Sequence, residues 1–196
     1  MQKIQKSTVD IDDSAIIFDN VVFVGNCRVG KGSKIYSNSI IIDSEIGDNC
    51  TIFCSVIEKS AIENYVSIGP FAHVRPNCVI GTQCRIGNFV EIKNSRIGDC
   101  SKISHLAYVG DAVIGKRCNI GCGAIFVNYN GKTKQQSIVG DDCFIGSNCN
   151  IIAPIILAKH TYICAGTTVT NSTNEYDFII GRERPIVKPN RARDYF

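Results

Sequence analysis

Apolar residues return along this chain every six positions. The beat opens with Ile11, Ile17, Phe23, Val29 and Ile35, resumes at Ile46 and Ile52, and runs short through Ile57 and Ile62. It then locks in from Ile68 through Val74, Ile80 and Ile86 to Ile92, and a second unbroken run links Val139, Ile145, Ile151, Leu157, Ile163 and Val169. The next residue is often glycine, as at Gly30, Gly47, Gly69, Gly81, Gly98, Gly115 and Gly140; this predicts tight corners built on positive φ. Six is not a helix period, but it accommodates strand-like alternation broken by corners. Short runs of Val, Ile, Phe and Thr between Gly, Asn, Asp and Ser fit that reading. The repeat predicts an all-β fold, a parallel β-helix whose coils have three flat sides. About 18 residues make a coil, and about nine coils stacked at ~4.8 Å give a prism about 40 Å long. No long helix is expected before residue 170.

A second position obeys the repeat. Cys27, Cys50, Cys78, Cys84, Cys118, Cys143 and Cys149 fall four residues after a repeat residue, in a slot that Ala15, Ser33, Ala72, Ser101, Ala107 and Ala124 also occupy. The slot takes a small side chain, and free cysteine behaves as a small hydrophobe. The eleven cysteines are therefore expected as reduced core thiols in a cytoplasmic protein. No metal is expected: the CxxxC pairs Cys50/Cys54 and Cys118/Cys122 lack a second pair at zinc-ribbon spacing, and His73, His105 and His160 are far apart in the chain.

Charge narrows the function only by exclusion. Twenty-one Lys+Arg against 18 Asp+Glu leave a net charge of +3, too little to argue for nucleic acid, and no nucleic-acid-binding motif is present. The first 15 residues hold no long apolar run, so neither a signal peptide nor a membrane span is expected.

The register slips where polar residues gather. Ile92 to Ile97 and Val109 to Ile114 are each five apart, and Phe126 to Val139 is thirteen, which expels residues 127–138 as a loop. Long loops in compact repeats tend to carry function. Counting along the register stacks Arg75 over Lys93, Glu91 beside Tyr108, and His105 over Cys122. Two stacked cations call for an anion between them, so either a phosphate sits there or Glu91 pairs with one of them. Arg75, Lys93, His105, Tyr108 and Asn119 all fall in outward slots. Histidine suits general-base chemistry because imidazole titrates near neutrality, although the slot alone also allows a plain surface histidine. The last 26 residues, with two prolines and four arginines, break the beat. The chain thus divides into a prism over residues 1–170 and a C-terminal arm over 171–196 that crosses the prism or reaches a neighbouring subunit.

IGPFAHVRP, IGNFVEIKNSRIGDCSKISHLAYVGDAVIGKRCNIGCG, NYNGKTK, IVGDDCFIGS and AGTTVT resemble the acetyltransferase domain of the bifunctional N-acetylglucosamine-1-phosphate uridylyltransferase/glucosamine-1-phosphate N-acetyltransferases. The match runs without a gap from about Ile68 to Arg182. The resemblance implies a left-handed parallel β-helix, a homotrimer with active sites between subunits, and acetyl-CoA as co-substrate. It implies acetylation of an amino sugar phosphate, glucosamine 1-phosphate above all, for cell-wall precursors. His105 would be the general base. Arg75, Lys93, Tyr108, Asn119 and Lys134 match positions that hold the sugar phosphate. Asn128 and Tyr129 match the pair near the acetyl group, with Asn128 a candidate donor to the oxyanion. Cys122, Ser147, Ala165 and Arg182 match acetyl-CoA contacts.

Two departures are visible. Nothing resembles the family's glycine-rich nucleotide loop; residues 1–60 are further repeat, so a separate uridylyltransferase is a possible partner. Cys122 stands where the family has alanine, and NYNG where it has NYDG. Another amino sugar or a nucleotide-linked one is the near alternative, and a non-catalytic β-solenoid scaffold the distant one.

Overall fold

The structure, a computed structural model, describes residues 8–181, 183 and 185–195. Its strands form three parallel sheets of nine, ten and nine strands, and within each sheet every third strand in sequence is a neighbour, save the last pair of the ten-stranded sheet, Tyr162–Ile163 and Phe178–Ile179. This is a parallel β-solenoid with three faces. The first face runs from Val9–Ile11 to Ile155–Leu157, the second from Ile16–Ile17 to Phe178–Ile179, and the third from Val22–Val24 to Thr168–Val169. The only helix among the described residues is a 3₁₀ turn at Arg191–Tyr195.

From Val29 onward the repeat residues point inward as expected, while Ile11, on the first coil, is exposed. Ile35, Ile41, Ile52, Ile57, Ile80, Ile86, Ile92 and Ile103 are fully buried, and the cysteines of the small slot line the same core. All eleven cysteines are free. Burial pushes the Cys84 thiol up to about 11, which makes it a poor nucleophile. Serine fills the slot by satisfying backbone that the corners strand. Ser101 Oγ donates to Gly115 O at 2.8 Å and accepts from Cys118 N at 2.9 Å.

The glycines do a different job from the one expected. Of those named above, only Gly69 has positive φ; the corners turn instead at residues such as Asn77, Asn94, Asp111 and Asn148. Gly98 and Gly115 are needed for close approach: a Cβ on Gly98 would lie 2.5 Å from the Gly115 carbonyl carbon. Stacked coils bring these backbones too near for any side chain.

The slips appear as register. Val9 pairs with Cys27, but Ile92 pairs with Val109 and Ile114 with Val139. The long gap emerges as a small hairpin closed by an antiparallel bridge between Tyr129 and Lys134. Asn130 Oδ1 holds its tip, accepting from the backbone N of Lys132 and Thr133, both at 2.9 Å.

One boundary differs from the expectation. Phe178–Ile179 pairs with Tyr162–Ile163, so the prism carries one more side beyond residue 170. A turn delivers the chain there, closed by Asp177 N donating to Asn174 O at 3.3 Å and by Asp177 Oδ2 accepting from Asn174 N at 2.8 Å. The Phe178 ring stacks on Tyr162, which itself stacks on Phe144. The side-chain stack overrides the loss of the six-residue beat.

Candidate functional site

The residues singled out from sequence fall into two groups. The first is a column along the edge between the second and third faces. Asn88 pairs with His105. The same backbone ladder continues upward: Asn88 O accepts from Leu106 N, His105 O from Gly123 N, Cys122 O from Asn148 N, and Ser147 O from Gly166 N. His105, Cys122, Ser147 and Ala165 thus occupy equivalent positions on successive coils, two residues after Ile103, Ile120, Ile145 and Ile163. His105, Ser147 and Ala165 are exposed and Cys122 is half-buried.

The second group lies on the third face and under the hairpin. His73, Glu91, Tyr108 and Ile125 are successive partners, and Lys93 pairs with Gly110. Arg75 N donates to Ile92 O, which sets Arg75 over Lys93 as the register implied. The two cations are not equivalent. Arg75 Nη1 donates to Glu91 Oε1 at 2.8 Å, and this bond holds the guanidinium above its ordinary pKa. Arg75 is therefore charge-compensated, while Lys93 faces Lys134 from the hairpin. The Lys93 ammonium beside it depresses the Lys134 pKa, only partly offset by Asp111 and Tyr108. The stronger demand for an anion is at Lys93 and Lys134, a pair the register could not reveal because one partner sits on a loop.

The sign of that demand is testable. A like-charged neighbour disfavours the protonated form, so Lys134 gives up its proton at lower pH than an ordinary lysine. An NMR titration of its side-chain carbons should show this, and Lys93→Met should return Lys134 to the ordinary lysine range. Affinity for a phosphate should fall as pH rises through the depressed value. A Lys134 that titrates normally beside an intact Lys93 would contradict the pairing.

Asn128 is buried and points at the same place. Its Nδ2 donates to Asp111 Oδ2 at 2.5 Å and lies 3.4 Å from the Tyr108 hydroxyl. A carboxylate only accepts, so the carboxamide orientation follows: nitrogen toward Asp111, oxygen outward. Asn128 therefore offers a ligand an acceptor. In this orientation its two N–H groups face Asp111 and Tyr108, and the oxygen is the atom left to meet a ligand. A Cβ on Gly110 would lie 2.5 Å from the Tyr108 hydroxyl and 2.6 Å from Asn128 Nδ2, so glycine makes room for both.

Not every expected residue joins these groups. Asn119 pairs with Lys102 and Phe144 on the second face, away from the third-face cluster within one chain. Tyr129 is exposed on the hairpin, its hydroxyl donating to Gly131 O at 2.7 Å. Arg182 lies outside the described residues. Sequence reasoning passed over Asp111 and Gly110. The available signal was their place immediately after Val109, where the register slips. Among the described residues, no group of three or more His, Cys, Asp or Glu could hold a metal ion, and no helix is long and apolar enough to cross a membrane.

Set beside known proteins, residues 56–126 match the GMPPB C-terminal domain family, and residues 136–171 match the bacterial transferase hexapeptide repeat. Among curated proteins, the bifunctional protein GlmU of Clostridium beijerinckii is 46% identical over 176 residues, covering 90% of this chain and 39% of the relative. GlmU of Clostridium acetobutylicum is 44% identical over 180 residues, covering 92% and 40%. The chain spans about two fifths of the length of these curated relatives. Among solved structures, a histidine-to-alanine variant of Caulobacter crescentus GDP-perosamine N-acetyltransferase, in complex with CoA and GDP-perosamine, is similar at a TM-score of 0.53. It is 25% identical, with 59% of this chain and 53% of that one covered. UDP-N-acetylglucosamine acyltransferase from Arabidopsis shares the fold at a TM-score of 0.56 and 19% identity, covering 87% and 68%.

Fold and repeat together make this a hexapeptide-repeat β-solenoid of the transferase kind. Within that class the chain belongs with the C-terminal part of the bifunctional GlmU proteins.

Proposed function

We infer that this chain is an acetyl-CoA-dependent N-acetyltransferase acting on glucosamine 1-phosphate. The observation that carries the reading is the Lys93–Lys134 pair beside Tyr108 and the outward oxygen of Asn128. Two ammonium groups suit a phosphoryl group, and an acceptor beside them suits a sugar amine. Homology to GlmU and the CoA-bound acetyltransferase neighbour support the same chemistry.

The sugar phosphate sits on the third face with its phosphate between Lys93 and Lys134. Arg75, held by Glu91, borders the phosphate end. Asn128 Oδ1 accepts one N–H of the 2-amino group and directs the nitrogen lone pair toward the thioester carbonyl. As the C–N bond forms, His105 takes a proton from that nitrogen. Collapse of the tetrahedral intermediate breaks the C–S bond, and the imidazolium returns its proton to the departing thiolate. Two molecules become N-acetylglucosamine 1-phosphate and free CoA, with no cysteine intermediate. Acetyl-CoA runs along the edge column past Cys122, Ser147 and Ala165.

Asn119 and Tyr129 complete the site across a subunit boundary, in a left-handed homotrimer in which each site lies between two chains. That assembly accounts for the distance between Asn119 and the third-face cluster in one chain. The free core cysteines suit the cytoplasm. A uridylyltransferase, on the same polypeptide or another, is the partner that consumes the product.

A specific observation favours a second reading, in which the substrate is a nucleotide-linked amino sugar: the solved neighbour holds GDP-perosamine. A thiol-release assay with acetyl-CoA separates the possibilities. Glucosamine 1-phosphate should be turned over faster than glucosamine, glucosamine 6-phosphate or a nucleoside-diphosphate amino sugar. Preference for the nucleotide-linked sugar would establish the second reading. No thiol release with any amine would mean a non-catalytic solenoid.

A further inference from the structure

We propose that Asp111 is a positioning residue, which fixes the carboxamide of Asn128 so that its oxygen, and not its nitrogen, meets the substrate amine. The proposal rests on the glucosamine 1-phosphate reading for the identity of that amine.

Asp111 sits at the corner that follows Gly110, with φ 50°, and its residue is 8% exposed. A charged side chain so far from water needs partners, and its partners are specific. Oδ1 accepts from Asn94 Nδ2 at 2.6 Å, and Oδ2 accepts from Asn128 Nδ2 at 2.5 Å. Backbone bonds on both sides hold the corner: Asp111 N donates to Lys93 O at 3.0 Å and Ser137 N donates to Asp111 O at 3.2 Å. The carboxylate is thus clamped between the coil below, which carries Lys93, and the coil above, which carries the hairpin with Asn128 and Lys134.

Chemistry gives the arrangement one polarity. An isolated asparagine side chain is nearly symmetric in shape and can turn over, exchanging acceptor for donor. A carboxylate in contact with it allows only the nitrogen inward, and the Tyr108 hydroxyl, 3.4 Å away, offers an acceptor for the second N–H. Among the described residues Asn128 Oδ1 has no partner of its own. Gln135 N donates to Asn128 O at 2.7 Å and ties the backbone at the hairpin's base, so the side chain is held at both ends. A donor in place of that oxygen would point at the N–H groups of the sugar amine and turn its lone pair away from the thioester. Asp111 touches neither substrate nor cofactor in this scheme; it acts through Asn128.

The same carboxylate acts on the lysine pair, where it partly offsets the effect of Lys93 on Lys134. This gives the test a readout that general disruption would not produce. In Asp111→Asn, two amide donors face one carboxamide, so either Asn94 or Asn128 must turn over and the Asn128 carboxamide no longer has a single imposed orientation. The expected kcat with glucosamine 1-phosphate falls on the order of 10²-fold, as for a misplaced reacting group. The anion site loses a repelling charge, so glucosamine 1-phosphate should bind no more weakly than to wild type by calorimetry.

The swapped variant Asp111→Asn/Asn128→Asp restores a donor–acceptor bond with an oxygen facing outward. It should recover about tenfold of the lost kcat, the coupling expected of residues in direct contact. In wild type the Asn128 side-chain amide protons should exchange slowly with solvent by ¹⁵N NMR, and in Asp111→Asn they should exchange fast. That measurement stands apart from turnover: an inert wild type with protected Asn128 protons would discard the substrate reading and keep the positioning role. Unprotected protons in wild type, unchanged kcat in Asp111→Asn, parallel loss of kcat and binding, or a swap no faster than the single variant would each overturn it.

Discussion

Replacing His105 by alanine should lower kcat for acetyl transfer by about 10²- to 10⁴-fold, the range that a positioned general base contributes. His105 ends the strand Lys102–His105 on the prism edge, exposed and outside the core. The variant should therefore keep its thermal midpoint, and its affinity for glucosamine 1-phosphate should change little, because the lysines proposed to hold the phosphate lie on another coil and a hairpin. Loss confined to kcat is the signature of a group that acts in the transition state. Full acetyl transfer by His105→Ala would remove the base from the mechanism and point to water or another side chain in its place.

The largest effect on stability is expected from Phe126→Ala, a loss of about 3–5 kcal/mol as for other buried aromatic truncations. Phe126 is fully buried and heads the largest such side chains in the core. It sits in the strand Ile125–Val127, immediately before the hairpin, where isoleucine or valine occupies most equivalent slots. Its ring fills the coil from which the chain leaves the regular path. The cavity would lie two residues before Asn128 in the same chain segment, so activity should fall before the protein melts. Urea unfolding gives the first quantity and turnover at low temperature the second. A shift below about 1 kcal/mol would mean that the neighbouring coils close over the gap, a relaxation that core truncations seldom achieve fully.

The fold was unusually open to inspection because one rule generates it. A side chain every six residues must be apolar and another four later must be small, since each coil presents the same three inward positions to the coil beneath. Ile92, Cys84 and Ile145 could be placed in the core without knowing anything about their neighbours. The stacking of Tyr108 on Glu91 and of Arg75 on Lys93 followed from counting, because register in a solenoid is arithmetic. The same arithmetic stopped at the hairpin. Residues 128–134 leave the repeat, and where Asn128 and Lys134 come to rest depends on how the loop folds back over the third face. The glycine corners were misjudged for a related reason: positive φ is a local property, but the contact between Gly98 and Gly115 is a property of two coils.

By itself, then, the sequence determined the solenoid, its inward and outward slots, the reduced cysteine core and the places where the coil is interrupted. Each of these depends on spacing along one chain. The tertiary structure alone decided how the charges are shared among Arg75, Glu91, Lys93 and Lys134, which way the Asn128 carboxamide faces, and that the prism continues to Phe178–Ile179. Those outcomes turn on distances of a few ångströms between groups from different coils, and on hydrogen bonds whose direction is set by a carboxylate. Neither is encoded in a period. The buried Asp111 shows the difference most clearly: an outward corner residue by its position in the repeat, it becomes an internal clamp once a hairpin covers it.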